Sequence, residues 1–375
     1  MTVRVNKPAF NIREKLSELT QSIGLKGRAL MGATTAQEAR DLVSAGRKNL
    51  IQNGDFRVNQ RGESTYTTIS GSIFDRWKFQ KDLLSEYTHE VTQSSDAPDG
   101  FNNSLRLEVT TSESSLGASD DLCLTQHVEG QDCQALMAGT KSAKPFTLSF
   151  WVKSNKTGIY SVTSTVSGSP NKQFATTYTI NQASTWEYKV VRIPPCPQTI
   201  VDNTSGNLSF RWIMNAGSNY TTASSGNMHE WDDYHSSIFA GGHEAQIMTD
   251  GDVWQLTGVQ VEVGKNATEF EYRTYGEELA LCQRYYVEDS TGGADAPLIY
   301  FFQYASSYRM LQIPFPVPMR SSNPTVVITM GSGADTTGLT QNYNTTEMQY
   351  KAYVNVSSTS ATSSYIVGYT ADAEL

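Results

Sequence analysis

The densest group of side chains able to do chemistry is His229-Glu-Trp-Asp-Asp-Tyr-His235, followed closely by His243 and Glu244. A metal would want histidine and carboxylate ligands converging at about 2.0–2.2 Å, and His-x5-His matches no zinc spacing. A sugar would want flat rings for its apolar C–H faces and carboxylates or amides for its hydroxyls. On that reading Trp231 and Tyr234 stack, while Asp232, Asp233 and Asn227 take hydroxyls, with Tyr220 in the preceding turn-rich stretch. The same residues also fit a polar loop whose aromatics cover the rim of a sandwich. Hydrolysis of a glycosidic bond needs two carboxylates roughly 5–9.5 Å apart across a cleft. The adjacent pairs Asp232-Asp233, Asp120-Asp121 and Glu277-Glu278 would point to opposite faces of a strand. No catalytic residues are therefore expected, and the protein is read as a non-enzyme.

Composition narrows the classes further. The chain has 375 residues, with 29 Lys+Arg against 38 Asp+Glu, a formal net charge of −9. Net acidity without a basic cluster speaks against nucleic acid. No apolar run approaches the ~18 residues of a membrane span, and the opening residues lack the apolar core of an export signal. Charged residues make up 18%, below the average of roughly 25%, and Ser, Thr and aromatic residues fill the gap, which suggests β structure. Cys123, Cys133, Cys196 and Cys282 include no CxxC pair, so four reduced, mostly buried thiols are expected, with a Cys123–Cys133 bridge as the alternative.

The elements that position these residues follow from periodicity. In residues 1–48, Ile12, Leu16, Leu19 and Ile23 make one apolar stripe, and Thr35-Ala-Gln-Glu38 opens a second helix. Both are too short to stand alone in water, so their faces must dock on each other, on sister chains or on a partner. From Asn49 onwards the period becomes two. Strands are expected at Ser104–Thr110, Phe146–Val152, Gly158–Val166, Thr176–Ile180, Glu187–Ile193, Leu208–Ile213 and Val253–Val263. Trp254 and Leu256 are out of phase with Val259 and Val261, and a β-bulge at Thr257-Gly258 would restore the face. Phe270, Tyr272 and Thr274 alternate with Glu269, Glu271 and Arg273, which reads as a strand with an aromatic inner and a charged outer face. A short helical link follows in GEELALCQRYY. Five further strands are expected at Pro297–Gln303, Arg309–Val317, Pro324–Met330, Met348–Val356 and Tyr365–Thr370. The fold class is mainly β: a helical N-terminal segment (1–48), an antiparallel jelly-roll β-sandwich (49–276) and a smaller C-terminal β-sandwich (277–375).

NLIQNGDFRVNQRG with FDRWKF resembles the opening of jelly-roll modules in tailed-bacteriophage tail fibres and virion appendages. WQLTGVQVEVGKNATEFEYRTYGEELALCQRYY resembles the segment that closes them, and FPVPMR with PTV resembles the β domain that often follows. The helical head looks like a virion-attachment segment. The resemblance implies a trimeric virion protein, assembled in the host cytoplasm, with a carbohydrate-binding-like module. Residues 1–48 would dock to other virion proteins and the module would adhere to host surface polysaccharide. It also implies a structural calcium near Asp55, Asp250 and Asp252, although Arg57 stands where those modules commonly carry an acidic residue. A decoration, head-fibre or tail-connector protein is the alternative function, and a polysaccharide depolymerase a more distant one.

Overall fold

The computed structural model describes residues 48–67, 70–82, 84, 86–221, 228–290, 298–300, 302–305, 308–330, 336–342, 345–356 and 365–375. The chain divides into two compact units, 1–48 and 49–375. The helices expected in the first unit, with Ile12, Leu16, Leu19 and Ile23, lie outside the described residues.

The larger unit is built from antiparallel sheets. Its first twelve strands are β1 (Gly71–Ser72), β2 (Lys78–Asp82), β3 (Thr88–Ser94), β4 (Ser104–Thr111), β5 (Asp121–Glu129), β6 (Phe146–Ser154), β7 (Gly158–Val166), β8 (Lys172–Ile180), β9 (Glu187–Ile193), β10 (Gly206–Ala216), β11 (Trp231–Asp233) and β12 (Val253–Val263). They form a seven-stranded sheet, β1-β2-β5-β10-β7-β8-β11, and a five-stranded sheet, β3-β4-β12-β6-β9. Within them β4-β12-β6-β9 and β5-β10-β7-β8 have the order of two interlocked Greek keys, a jelly roll.

The inner faces share one core. Trp77, Phe150, Phe210 and Trp212 are fully buried. Trp77 and Trp212 have ring centroids 5.5 Å apart, and Phe150 meets Trp212 edge-on at 5.8 Å.

Two sequence features explain the central strand. The register of β12 on β6 shifts between Thr257 and Gln260, and Gly258 has φ +61°, so the expected bulge is there. The Asn53-Gly54 corner fills the gap it leaves: Val259 N–H donates to Gly54 O at 2.9 Å. A Cβ on Gly54 would stand 2.2 Å from Val259 O, so only glycine permits this approach. Asn53 holds the corner by accepting from Val58 N–H and donating to Val58 O and Asp75 O.

Helix α1 (Tyr275–Gln283) begins with a capping box between Thr274 and Glu277. Beyond it lie β13 (Tyr286–Ser290), β14 (Ile299–Tyr300), β15 (Phe302–Ala305), β16 (Tyr308–Pro314), β17 (Thr325–Met330), β18 (Thr336–Asn342), β19 (Gln349–Val356) and β20 (Tyr365–Asp372). One sheet has β20 between β13 and β17, with β14 also on β20, and the other is β15-β16-β19-β18. Leu311, Ile313, Met319, Ile366 and Ala371 centre a separate core. Buried charge joins the two sandwiches. Arg76 donates to Glu374 at 2.7 Å, its guanidinium lies 3.4 Å from the Tyr285 ring centroid, and Arg284 grips Glu129. All four cysteines are free and buried, as expected. No helix among the described residues is long and apolar enough to cross a membrane.

Candidate functional site

The chemically dense stretch is an edge strand and its flanks. β11 pairs with β8, placing Trp231 opposite Phe174 and Asp232 opposite Gln173. The Trp231 ring packs between Phe146 and Phe174, and its indole N–H donates to Pro194 O at 2.8 Å. Both the ring and its polar atom are thus committed to the fold. Tyr220 packs edge-on against Phe239 and donates its hydroxyl to Ser119 O. Asp233 pairs with Lys172, and Asp232 accepts from the Asp233 backbone N–H. Only Tyr234, 42% exposed, offers a ring to solvent, and Asn227 lies outside the described residues. His229 bonds Thr176 Oγ1. His243 is buried against Ser161 N–H and Met214 O, and burial lowers its pKa to about 4.

Two of the three carboxylates implied for calcium, those of Asp55 and Asp252, are also engaged. Arg57 forms an ion pair with Asp55. Asp252 accepts backbone N–H bonds from Met248 and Thr249, which makes its carboxylate the cap of its own turn, while Asp250 N–H is held by Ser112. The Asp55 carboxylate is thus neutralised by a guanidinium, and Asp252 spends one oxygen on two amides. Among the described residues no three His, Cys, Asp or Glu side chains group as metal ligands.

A different site lies where the jelly roll closes. Segment 269–274 forms no strand; Glu269 lies outside as expected, but at Tyr272 and Arg273 the sidedness is reversed, with the tyrosine exposed and the arginine side chain buried. Arg273 turns inward and donates to Asn49 O at 2.6 Å, to Ile51 O, and to the carboxylates of Glu271 and Glu278. Satisfying two backbone carbonyls and a buried acid outweighs solvating the guanidinium, because an unpaired buried acid is costly. Tyr272 is therefore left exposed and Phe270 half-buried, and both meet Phe101 from loop 95–103. Phe101 lies 5.0 Å from Phe270 and 5.6 Å from Tyr272, centroid to centroid.

These rings border a cleft of about 340 Å³, lined by Asp55, Arg57, Phe101, Asn102, Asn103, Tyr272 and Tyr275 together with Gly100. Tyr272 and Tyr275 are 55% and 56% exposed. Gly100, at φ +93°, leaves room for the Tyr272 hydroxyl, which would stand 2.9 Å from a Cβ there. Partial burial raises the Tyr272 phenol pKa, with Asp55 adding to the effect, so the hydroxyl stays a neutral donor. The site thus offers flat rings, two phenols, two amides, and a carboxylate and guanidinium that neutralise each other. The signal in the sequence was Phe101 itself, a lone aromatic in the turn-rich SSDAPDGFNN.

No protein-family model matches the sequence, and no curated protein matches it. Solved structures to which the chain is similar include the enzymatically active domain of tailspike protein 4 from bacteriophage CBA120. That alignment covers 57% of this chain and 21% of the tailspike, at 14% identity and a TM-score of 0.32. TmCBM61, solved with β-1,4-galactotriose, aligns over 59% of this chain and 100% of its own length, at 14% identity and a TM-score of 0.28. The CBM22-1–GH10 modules of Clostridium thermocellum endo-1,4-β-D-xylanase 10B, solved with xylohexaose, align over 58% of this chain and 29% of theirs, at 12% identity and a TM-score of 0.31. This chain therefore spans about a fifth of the tailspike domain and under a third of the xylanase modules.

Proposed function

We propose that the protein is an adhesive component of a bacteriophage particle, a tail fibre or tail appendage that binds host surface glycan without turning it over. The observation that carries the adhesive part is the cleft at which Tyr272 and Tyr275 stand exposed, with Phe101 half-buried against Tyr272, beside amides and an ion-paired carboxylate. Exposed clustered rings are costly to leave in water, and stacked sugars relieve that cost while amides and phenols take the hydroxyls.

The particle assignment is supported by the NLIQNGDFRVNQRG and WQLTGVQVEVGKN phrases, which build the corner and bulge described above. In this role residues 1–48 attach the chain to other virion proteins and to two sister chains. A trimer then gains avidity through effective concentration, with each site individually weak.

Native gel electrophoresis through gels cast with host surface polysaccharide tests the adhesive role. The wild-type chain is retarded, and Tyr272→Ala is not. Unretarded wild-type protein, or a fall in polymer viscosity on incubation, contradicts it. Light scattering on the full chain tests the trimer, and a monomer at micromolar concentration contradicts it.

A further inference from the structure

The outer face of the five-stranded sheet carries a second set of rings that the cleft leaves unused. Trp151 on β6 and Tyr188 on β9 are register partners, with ring centroids 5.3 Å apart. Tyr188 and Val190, successive outward residues of β9, are each 43% exposed, on a face that ordinarily carries polar groups. Lys153 is the next outward residue of β6 after Trp151, and its ammonium lies 5.7 Å from the centroid of the Trp186 ring. Trp186 in turn donates its indole N–H to Asp96 at 3.1 Å.

Gly258 links this set to the cleft. A Cβ at Gly258 would stand 2.7 Å from the Phe101 ring and 3.1 Å from the Trp151 ring. Both rings therefore border the one residue of the bulge that has no side chain, and Phe101 continues to Tyr272. Trp151 with Tyr188 thus stands on one side of Gly258 and Phe101 with Tyr272 on the other, and Trp186 adjoins the first pair through Lys153.

Charge selects the ligand. The charged groups that touch this surface come as neutralising pairs, Asp96 with Lys153 and Asp55 with Arg57. In the row of Lys153 and Gln255, Arg106 pairs with Glu108. The exposed Arg192, two outward positions along β9 from Tyr188 and donating to Lys265 O, lies beyond the rings, so at the rings themselves a polyanion would gain no uncompensated cation. Length follows from the ring count, since one sugar covers about one ring and the surface offers several stations.

We propose that this sheet face binds a neutral polysaccharide along its length, with Tyr272 and Phe101 at one end and Trp186 at the other. The proposal rests on the glycan-binding reading of the cleft.

The test uses the full chain in native gels containing xylan, β-1,4-galactan, mixed-linkage β-glucan or dextran as neutral probes and alginate as the acidic one. Wild type, Tyr188→Ala and Tyr272→Ala are compared. The polymer that retards the wild type is then compared as its trisaccharide and hexasaccharide by calorimetry. At least one neutral polymer is expected to retard the wild type. Each variant is expected to bind roughly five- to tenfold more weakly, as loss of one stacking ring implies. The hexasaccharide is expected to bind at least about tenfold more tightly than the trisaccharide. Tyr188 is a surface residue, so an unchanged melting temperature confirms that its variant folds. If Tyr272→Ala loses binding while Tyr188→Ala keeps it, or if the two oligosaccharides bind equally, the extended surface is overturned and the cleft stands. Retention by alginate alone, falling with salt, overturns the neutral ligand. A mass that changes with Tyr188→Ala shows this face joining copies of the chain and overturns the proposal. No retardation by any polymer overturns both readings.

Discussion

The edge strand at Trp231 and the aromatic surface around Tyr272 contain the same kinds of residue and are put to opposite uses. At the edge strand the tryptophan turns inward, its indole N–H taken by Pro194 O and its ring by Phe146 and Phe174. Around Tyr272 the charge of Arg273 turns inward, because it has carbonyls and carboxylates to satisfy, and the Tyr272 ring is left outside. A cluster of chemically able residues is therefore no guide to a site until the partners of its polar atoms are known.

The sharpest way to break this comparison is to truncate each ring in turn. Trp231→Ala should cost roughly 3 kcal/mol of stability, the low end for a packed tryptophan, and leave glycan retention intact. A denaturant midpoint within error of wild type would show that Trp231 is not a packing residue. Gly258→Ala should cost about 1–2 kcal/mol, since its Cβ meets Phe101 at φ +61°. The same change should weaken glycan retention by displacing both rings, and retention equal to wild type would separate the bulge from the site. Tyr272→Ala should invert the Trp231 result, with stability within about 0.5 kcal/mol and retention reduced about tenfold.

A pH series separates the two sheets. Asp121 faces Asp82 across β5 and β2. Burial, then the neighbouring Asp82, raises its pKa from the ordinary 3.8 to about 7. The folded state therefore holds a proton that the unfolded state releases. This contribution is fully present below about pH 4 and is lost as pH rises through about 7. Melting temperature should fall across that window in the wild type and fall less in Asp121→Asn, while glycan retention, set by the other sheet, stays level. Parallel curves for the two proteins would rule out the carboxyl as the cause. The smallest effect is expected for Tyr234→Ala, near zero on both stability and retention.

Much of the first sandwich was legible because period-two alternation is a direct consequence of one face meeting a core. Gly158–Val166, Glu187–Ile193 and Val253–Val263 have the bounds read from the sequence. The bulge was legible because Trp254 and Val259 could share a face only through a break. β5 was missed because the polar Gln126 breaks the apolar row of Leu122, Leu124 and Val128, and Cys123 adds an apolar residue on the other face. β18, with the sequence TTGLTQN, carries one large apolar residue and gave no period to detect.

The candidate site was only half visible. Alternation in EFEYRTY revealed two faces but not which one met solvent, and charge placed outside by default held at Glu269 and failed at Arg273. Arg273 goes inward because its partners, Asn49 O, Ile51 O and Glu278, are supplied by segments far away in the chain or buried with it. No local pattern encodes such partners. Phe101 needed Gly258, more than 150 residues away, to find its place.

The most direct test of the central claim is a crystal structure of the full chain grown with an oligosaccharide of whichever polymer retards it. A sugar ring stacked on Tyr272 or Phe101, with hydroxyls on Asn102, Asn103 or Asp55, is the predicted result. A sugar seated at the β11 edge beside Tyr234, with the Tyr272 face bare, would contradict it.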